Sequence, residues 1–206
     1  MTIVIIDYGL SNLNSVYNTL LKIYKNVKIS NDPNIIINAT FLILPGVGTY
    51  EKGMININKL NLYHIIRTAV LEKNIPILGI CLGMQLFSTY GYENKKTKGL
   101  DLIEGEVLKI THNDNLKLPH IGWNNIKHDK SDIFNKIPQN TDFYFIHSYS
   151  FIPTDTTVIR ATTNYHKEIV SLCVKDNIYG LQFHPEKSQL AGFILLKNII
   201  SKHIKI

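Results

Sequence analysis

The chain offers one cysteine placed for nucleophilic chemistry. In Ile77-Leu78-Gly79-Ile80-Cys81-Leu82-Gly83-Met84-Gln85 an apolar strand signal runs into Cys81, with a glycine two residues to either side. A tight strand-to-helix turn presents such a thiol at the carboxyl end of a sheet, as in the nucleophile elbow of hydrolases, and flanking glycines permit the strained turn. A helix starting at Leu82 also brings the positive end of its dipole to the sulfur, which favours thiolate. Alone, the segment is equally consistent with a small apolar side chain in a core. A thiol nucleophile needs a base, and eight histidines compete: His64, His112, His120, His128, His147, His166, His184 and His203. His184 stands apart because the apolar run Gly180-Leu181-Gln182-Phe183 ends on it and Glu186 follows two residues later. An extended backbone turns both side chains to one side, where a carboxylate can hold the imidazole tautomer and stabilise the imidazolium. Taken singly, His-Pro-Glu also reads as an exposed loop. Taken together in chain order, Cys81, His184 and Glu186 read as a candidate catalytic triad.

Two more segments could serve such a nucleophile. Leu44-Pro45-Gly46-Val47-Gly48-Thr49-Tyr50 follows a strand signal and is rich in glycine. It is not a dinucleotide loop, because Glu51 stands where the third glycine of G-x-G-x-x-G belongs and a carboxylate repels a pyrophosphate. Backbone N–H groups of this loop could meet the charge of a tetrahedral intermediate; a plain structural turn fits as well. His147-Ser148-Tyr149 ends the aromatic run Phe143-Tyr144-Phe145-Ile146, where polar groups can bind a small polar substrate or merely edge a strand. Pro119-His120-Ile121-Gly122-Trp123-Asn124 holds the single Trp, a core or interface anchor. Cys173, inside Ile169-Val170-Ser171-Leu172-Cys173-Val174, reads as core. No C-x-x-C or H-E-x-x-H metal pattern is present.

The elements that must position these groups alternate in the first half. Residues 2–6, 27–29, 41–44 and 75–80 read as strands. Helices are expected from a Ser11 cap to about Tyr24, from Asp32-Pro33, over residues 62–73 and over residues 82–89. This rhythm predicts an α/β fold: a central, mostly parallel sheet with helices on both faces. In the second half, residues 102–110, 143–151, 157–162, 169–174 and 179–183 are short β-rich runs, expected as antiparallel strands added to the same sheet. A helix over residues 188–203, capped by Ser188, closes the chain. No repeat or linker divides it, so residues 1–206 are expected to form a single domain.

Composition removes several function classes. The 206 residues carry 22 Lys+Arg against 16 Asp+Glu, a net charge of +6, with 45% apolar and 18% charged residues. A disordered chain would be poorer in apolar side chains and richer in charge. Two cysteines cannot build a disulfide framework. No apolar run nears the roughly 18 residues of a membrane span. The start, Met1 to Asp7, lacks a basic leader and cleavage site, so the expectation is a soluble, cytoplasmic protein. Arg67 and Arg160 are the only arginines and the lysines are scattered, which argues against nucleic-acid binding.

Together, Asp7-Tyr8-Gly9, Pro45-Gly46-Val47-Gly48, Gly79 to Gln85, Pro119 to Asn124, His147-Ser148-Tyr149 and Gln182 to Ser188 resemble the class I (triad) glutamine amidotransferases. Within them they look like the glutaminase subunits of imidazole glycerol phosphate synthases, over nearly the whole chain. The resemblance implies Cys81 as nucleophile, His184 as base and acid, and Glu186 as the orienting carboxylate. It implies an oxyanion site from Leu82 and the Val47–Gly48 region, and Gln85, Ser148 and Tyr149 as holders of glutamine. It implies no cofactor and no metal. The partner it implies is a (βα)₈-barrel synthase subunit that takes ammonia directly and makes imidazole glycerol phosphate and aminoimidazole carboxamide ribonucleotide in histidine biosynthesis. Asn12, Trp123 and Lys187 would lie near that heterodimer interface. Residues 97–107 and 184–192 look at least as much like paralogues that supply ammonia for amidino sugars of surface polysaccharides, and these share the triad. A non-catalytic module on the same scaffold would show a defective triad, whereas Cys, His and Glu are all present here.

Overall fold

The computed structural model describes residues 1–111 and 117–205; His112 lies outside them. Five neighbouring strands run parallel in the order β2-β1-β3-β4-β13, where β1 is Ile3–Ile6, β2 Val27–Ser30, β3 Phe41–Gly46, β4 Ile77–Cys81 and β13 Ile178–Leu181. All residues of β1, β3, β4 and β13 are buried, as expected of strands covered on both faces. Successive side chains of β1 show why: Ile3 and Ile5 enter one core, Val4 and Ile6 the other.

The first core is covered by α1 (Leu13–Leu21) and α6 (Gln189–Ser201), through Val16 and Leu20 and through Leu195, Leu196, Ile199 and Ile200. The second is covered by α2 (Pro33–Ile37), α3 (Tyr50–Lys59) and α4 (Leu62–Arg67), with Ile36, Met54, Ile57, Leu62 and Ile66 facing in. Helix α3 has no counterpart among the sequence expectations. Its Asn and Gly content hides it, although Tyr50, Met54 and Ile57 keep helical spacing and the Thr49 hydroxyl caps it by accepting from the Lys52 N–H. The helix expected over residues 62–73 is α4 followed by a π-helical turn, Thr68–Glu72. Ser11 does not cap α1: the cap position is Asn12, with no side-chain bond. Nor does Ser188 cap α6 with its side chain.

The second half departs further from expectation. Four strands do extend the sheet antiparallel beyond β13: β12 (Lys167–Lys175), β11 (Ile159–Tyr165), β8 (His120–His128) and β9 (Thr141–His147). β13 itself is parallel to β4, not antiparallel. The run 143–151 is two strands. It leaves the large sheet at Ser148 and continues as β10 (Tyr149–Pro153) in a separate four-stranded sheet with β7 (Gly105–Lys109), β5 (Tyr90–Gly91) and β6 (Thr97–Lys98). Val107 and Phe151 of that small sheet pack into the second core. The corner at Ser148 thus stands where both sheets meet the carboxyl ends of the parallel strands. Among the described residues, no helix is long and apolar enough to cross a membrane.

Candidate active site

Ligand sites of open α/β sheets lie at the carboxyl ends of the strands, and β3, β4, β9 and β13 bring their ends together here. Cys81 is the last residue of β4 and the residue before α5 (Leu82–Gln85). Its backbone has φ 53° and ψ −107°, a conformation that L-residues avoid and that is held by its surroundings. The strain sits on the cysteine itself. Neither Gly79 nor Gly83 has a positive φ; the glycines provide clearance instead. A Cβ on Gly83 would overlap the Leu44 carbonyl, and one on Gly79 would lie 2.6 Å from the Met84 nitrogen. With α5 a single turn, its dipole is short and the near groups dominate the thiol's surroundings.

His184 leaves the end of β13 and is stapled to β9. Its N–H donates to the Tyr144 carbonyl at 2.9 Å, and the Ser188 hydroxyl donates to its carbonyl at 2.7 Å while accepting from the Tyr144 N–H at 3.0 Å. That is the work of Ser188 in place of capping α6. The backbone after His184 is not extended but a 3₁₀ turn, Pro185–Lys187, started by proline's fixed φ. The turn brings Glu186 Oε1 to 2.8 Å from His184 Nδ1, with the two side chains 2% and 3% exposed. Nδ1 is therefore a donor to the carboxylate, and Nε2 is the free edge of the ring. Nε2 makes no hydrogen bond of good geometry, yet the Cys81 sulfur is near enough to act on it. Burial works against the imidazolium, but Cys81 and then Glu186 outweigh it, and the pKa of His184 is pushed up to about 10. The Cys81 thiol reaches the Ile146 carbonyl at 3.7 Å.

Cys81 and His184 open onto a cavity of about 230 Å³, small for a ligand site and suited to a metabolite rather than a nucleotide. Val47, Gly48, Leu82, Gln85, Ser148 and Tyr149, all singled out in the sequence, line it. Their donors are not equally ready. Leu82 begins α5, where an N–H has no intrahelical acceptor. The Val47 N–H instead donates to the Leu10 carbonyl at 2.8 Å, so this expected oxyanion donor is engaged elsewhere. Gly48 beside it has φ 111°, a conformation open to glycine. The Gln85 amide nitrogen is also taken, by the Tyr149 carbonyl at 2.9 Å and Gln182 Oε1 at 3.1 Å. That leaves its carbonyl oxygen to offer a ligand.

Glu93 lines the cavity too, and sequence reasoning missed it. One carboxylate oxygen accepts from the Tyr50 N–H at 2.7 Å. It lies among Lys95, Lys96 and Lys98 in a loop without a motif, so only the fold could find it. His147, another lining residue, is buried, and burial pushes its pKa down to about 3 despite the Tyr149 carbonyl it donates to. Of the three interface candidates, Asn12 and Lys187 are exposed and border one cleft beside Glu186. Trp123 is 49% exposed on β8, edge-on to Tyr144 at 6.0 Å, and the Lys187 ammonium sits 5.7 Å from the same Tyr144 ring. Ile121 and Ile146, 56% and 38% exposed, extend this apolar face to the cavity rim. Among the described residues no cluster of His, Cys, Asp and Glu is arranged to hold a metal ion.

Comparison with known proteins covers nearly the whole chain. The family model described as glutamine amidotransferase class-I matches residues 4–198. The chain is 44% identical over 201 residues to imidazole glycerol phosphate synthase subunit HisH 2 of Methanococcus maripaludis, covering 97% of this chain and 99% of that protein. It is 41% identical to subunit HisH of Pelagibacter ubique, covering 98% and 100%. Among solved structures, PurLQS from Thermotoga maritima superposes with a TM-score of 0.72 at 17% identity, covering 98% of both chains, a likeness of fold.

Proposed function

We infer the function from this premise: the chain belongs to the glutamine amidotransferase class-I family. It is a glutaminase subunit of the imidazole glycerol phosphate synthase type, hydrolysing glutamine and working with a synthase subunit. The observation that carries the chemical reading is the buried row Cys81, His184 and Glu186 on a cavity of amino-acid size. In this reading one domain holds the whole site.

The thiolate of Cys81 attacks the side-chain amide carbon of glutamine, giving a tetrahedral oxyanion. Imidazolium His184 gives its Nε2 proton to the departing nitrogen, ammonia leaves, and a glutamyl thioester remains. Neutral His184 then takes a proton from water as it attacks the thioester, and glutamate leaves as the thiolate returns. Glu186 keeps Nδ1 protonated throughout, so that Nε2 is always the exchanging edge. Glu93 suits the α-ammonium of the substrate, and Ser148 with Tyr149 suit its polar end. The oxyanion has the Leu82 N–H at once. A second donor from Val47 needs that N–H released from Leu10, and such donors contribute about 3 kcal/mol each. The free chain is therefore expected to be a slow glutaminase until its partner remakes this loop.

Ammonia shed into water would be protonated and lose its nucleophilicity, so it passes to a (βα)₈-barrel synthase seated on the face of Asn12, Trp123, Tyr144 and Lys187. We place such a biosynthetic pair in the cytoplasm. The test is glutamate release by the chain alone, then with a histidine-pathway barrel subunit and its nucleotide. Strong stimulation, abolished by Cys81→Ala, is expected. Labelling of Cys81 by a glutamine analogue without stimulation would keep the glutaminase and redirect the search to an amidino-sugar partner.

A further inference from the structure

His120 on β8 and His147 at the end of β9 are 3% and 6% exposed, face each other across the two strands, and take no part in the reaction above. Their hydrogen bonds leave no freedom in where the protons sit. The Tyr149 carbonyl can only accept, so His147 Nδ1, 2.8 Å away, carries a proton. That buried ring is neutral, so its Nε2 is bare and accepts. His120 Nδ1, 3.0 Å from it, is then the donor. The neutral His120 ring is left with a bare Nε2, which accepts from Asn124 Nδ2 at 3.2 Å. Asn124 is itself fixed by two backbone groups. Its Nδ2 also donates to the Asn164 carbonyl at 3.0 Å, and its Oδ1 accepts from the Asn125 N–H at 2.9 Å.

The chain continues on the far side of Tyr149. The same carbonyl accepts from Gln85 Nε2 at 2.9 Å, and Gln85 Nε2 also donates to Gln182 Oε1 at 3.1 Å. This turns Gln182 Nε2 toward the Cys81 sulfur, 3.8 Å away. Gln182 is fully buried, and none of the linked side-chain atoms is left unsatisfied. Fully satisfied buried networks of this kind rigidify what they join.

We propose that Asn124, His120 and His147 are positioning residues, a hydrogen-bond chain from the partner-facing strand β8 that meets Gln85 at the shared Tyr149 carbonyl and so sets the amides of Gln85 and Gln182 and the Ser148–Tyr149 corner around Cys81. The geometry stands by itself; the consequence for substrate rests on the glutaminase reading. A packing role alone would be met by a phenyl ring, since His120 stacks on Tyr165 at 4.0 Å and on Phe145 at 4.8 Å.

Two measurements on the full chain decide it. In ¹⁵N NMR at neutral pH, His120 and His147 should both be neutral with the proton on Nδ1. A proton on Nε2 of either ring, or a charged ring, would overturn the chain. His120→Phe keeps the stack and removes both nitrogens. Inactivation of Cys81 by a diazoketone analogue of glutamine should then need about tenfold more reagent for half-saturation. The maximal inactivation rate should stay within about threefold. Half-saturation within twofold of the parent would overturn the positioning role. If His120→Phe does not fold, Asn124→Leu at a half-buried position is read in the same way. If the parent chain is never labelled at Cys81, the glutaminase reading fails, while the NMR result still decides the chain.

Discussion

Replacing Glu186 by glutamine probes the acid–base pair through both stability and rate. The carboxylate and imidazole are 2.8 Å apart and almost wholly buried, so water and salt screen them little. His184 has an ordinary pKa of 6.5 and is pushed up to about 10, against burial, by Cys81 and Glu186. That elevation is worth about 5 kcal/mol in favour of the imidazolium. Between pH 6.5 and about 10 the folded protein keeps a proton that the unfolded chain releases. The stabilisation is therefore complete below pH 6.5 and is lost as pH climbs through 10. Glutamine keeps the shape and can still accept from Nδ1, but it removes one of the two charges that hold the proton. We expect a loss of about 2 kcal/mol near pH 6.5, a Tm lower by roughly 4–8 °C for a chain of this size. The difference should shrink toward pH 10. Without a fixed tautomer kcat should fall by about 10² to 10⁴. Thermal unfolding at pH 6.5, 8 and 10 and glutamate release at saturating glutamine are the assays. A Tm difference that stays flat across this range, or a kcat within tenfold of the parent, would refute the reasoning.

The strained elbow predicts that Cys81→Gly is at least as stable as Cys81→Ala, although glycine ordinarily costs about 0.5–1 kcal/mol in chain entropy. Its φ of 53° with ψ −107° is the mirror image of a common extended conformation and is open to glycine; chemical denaturation of the two inactive variants compares them. Cys173 is fully buried and its pKa is pushed up to about 12 by that burial. Iodoacetamide at pH 8 should therefore modify Cys81 alone in the native protein and both cysteines after unfolding, as peptide mass spectrometry will show. Glu93→Gln should raise KM for glutamine about tenfold or more while kcat changes little, because it removes a charge from the bound amino acid and not from the reacting bond; initial-rate kinetics separate the two.

Local pattern carries the parallel half of the fold well. The strands at 2–6, 41–44 and 75–80 are apolar runs buried on both faces, and no tertiary detail changes that reading. Helix α3 was hidden because its asparagines weaken the propensity, while only the buried spacing of Tyr50, Met54 and Ile57 marks it. The split of β9 from β10 at Ser148 was illegible for a different reason. Nothing local tells an aromatic run to change partners; the pairing of His147 with His120 and of Tyr149 with Lys109 does.

For the site, residue type and order pointed to Cys81, His184 and Glu186, since a thiol elbow and a His-Pro-Glu turn are short-range motifs whose chemistry follows from the side chains. What only the tertiary structure decided is how these groups meet and who else joins them. Strain falls on Cys81 rather than on its glycines because the packing of Leu44 against Gly83 holds the turn. The Val47 N–H is spent on Leu10, an acceptor 37 positions away in the chain that only folding brings near. Glu93 and the Asn124–His120–His147 chain arise where the two sheets meet, from residues on β8, β9 and the loop before β6. Hydrogen bonds are made across space between elements distant in the chain, and one-dimensional spacing carries no record of them.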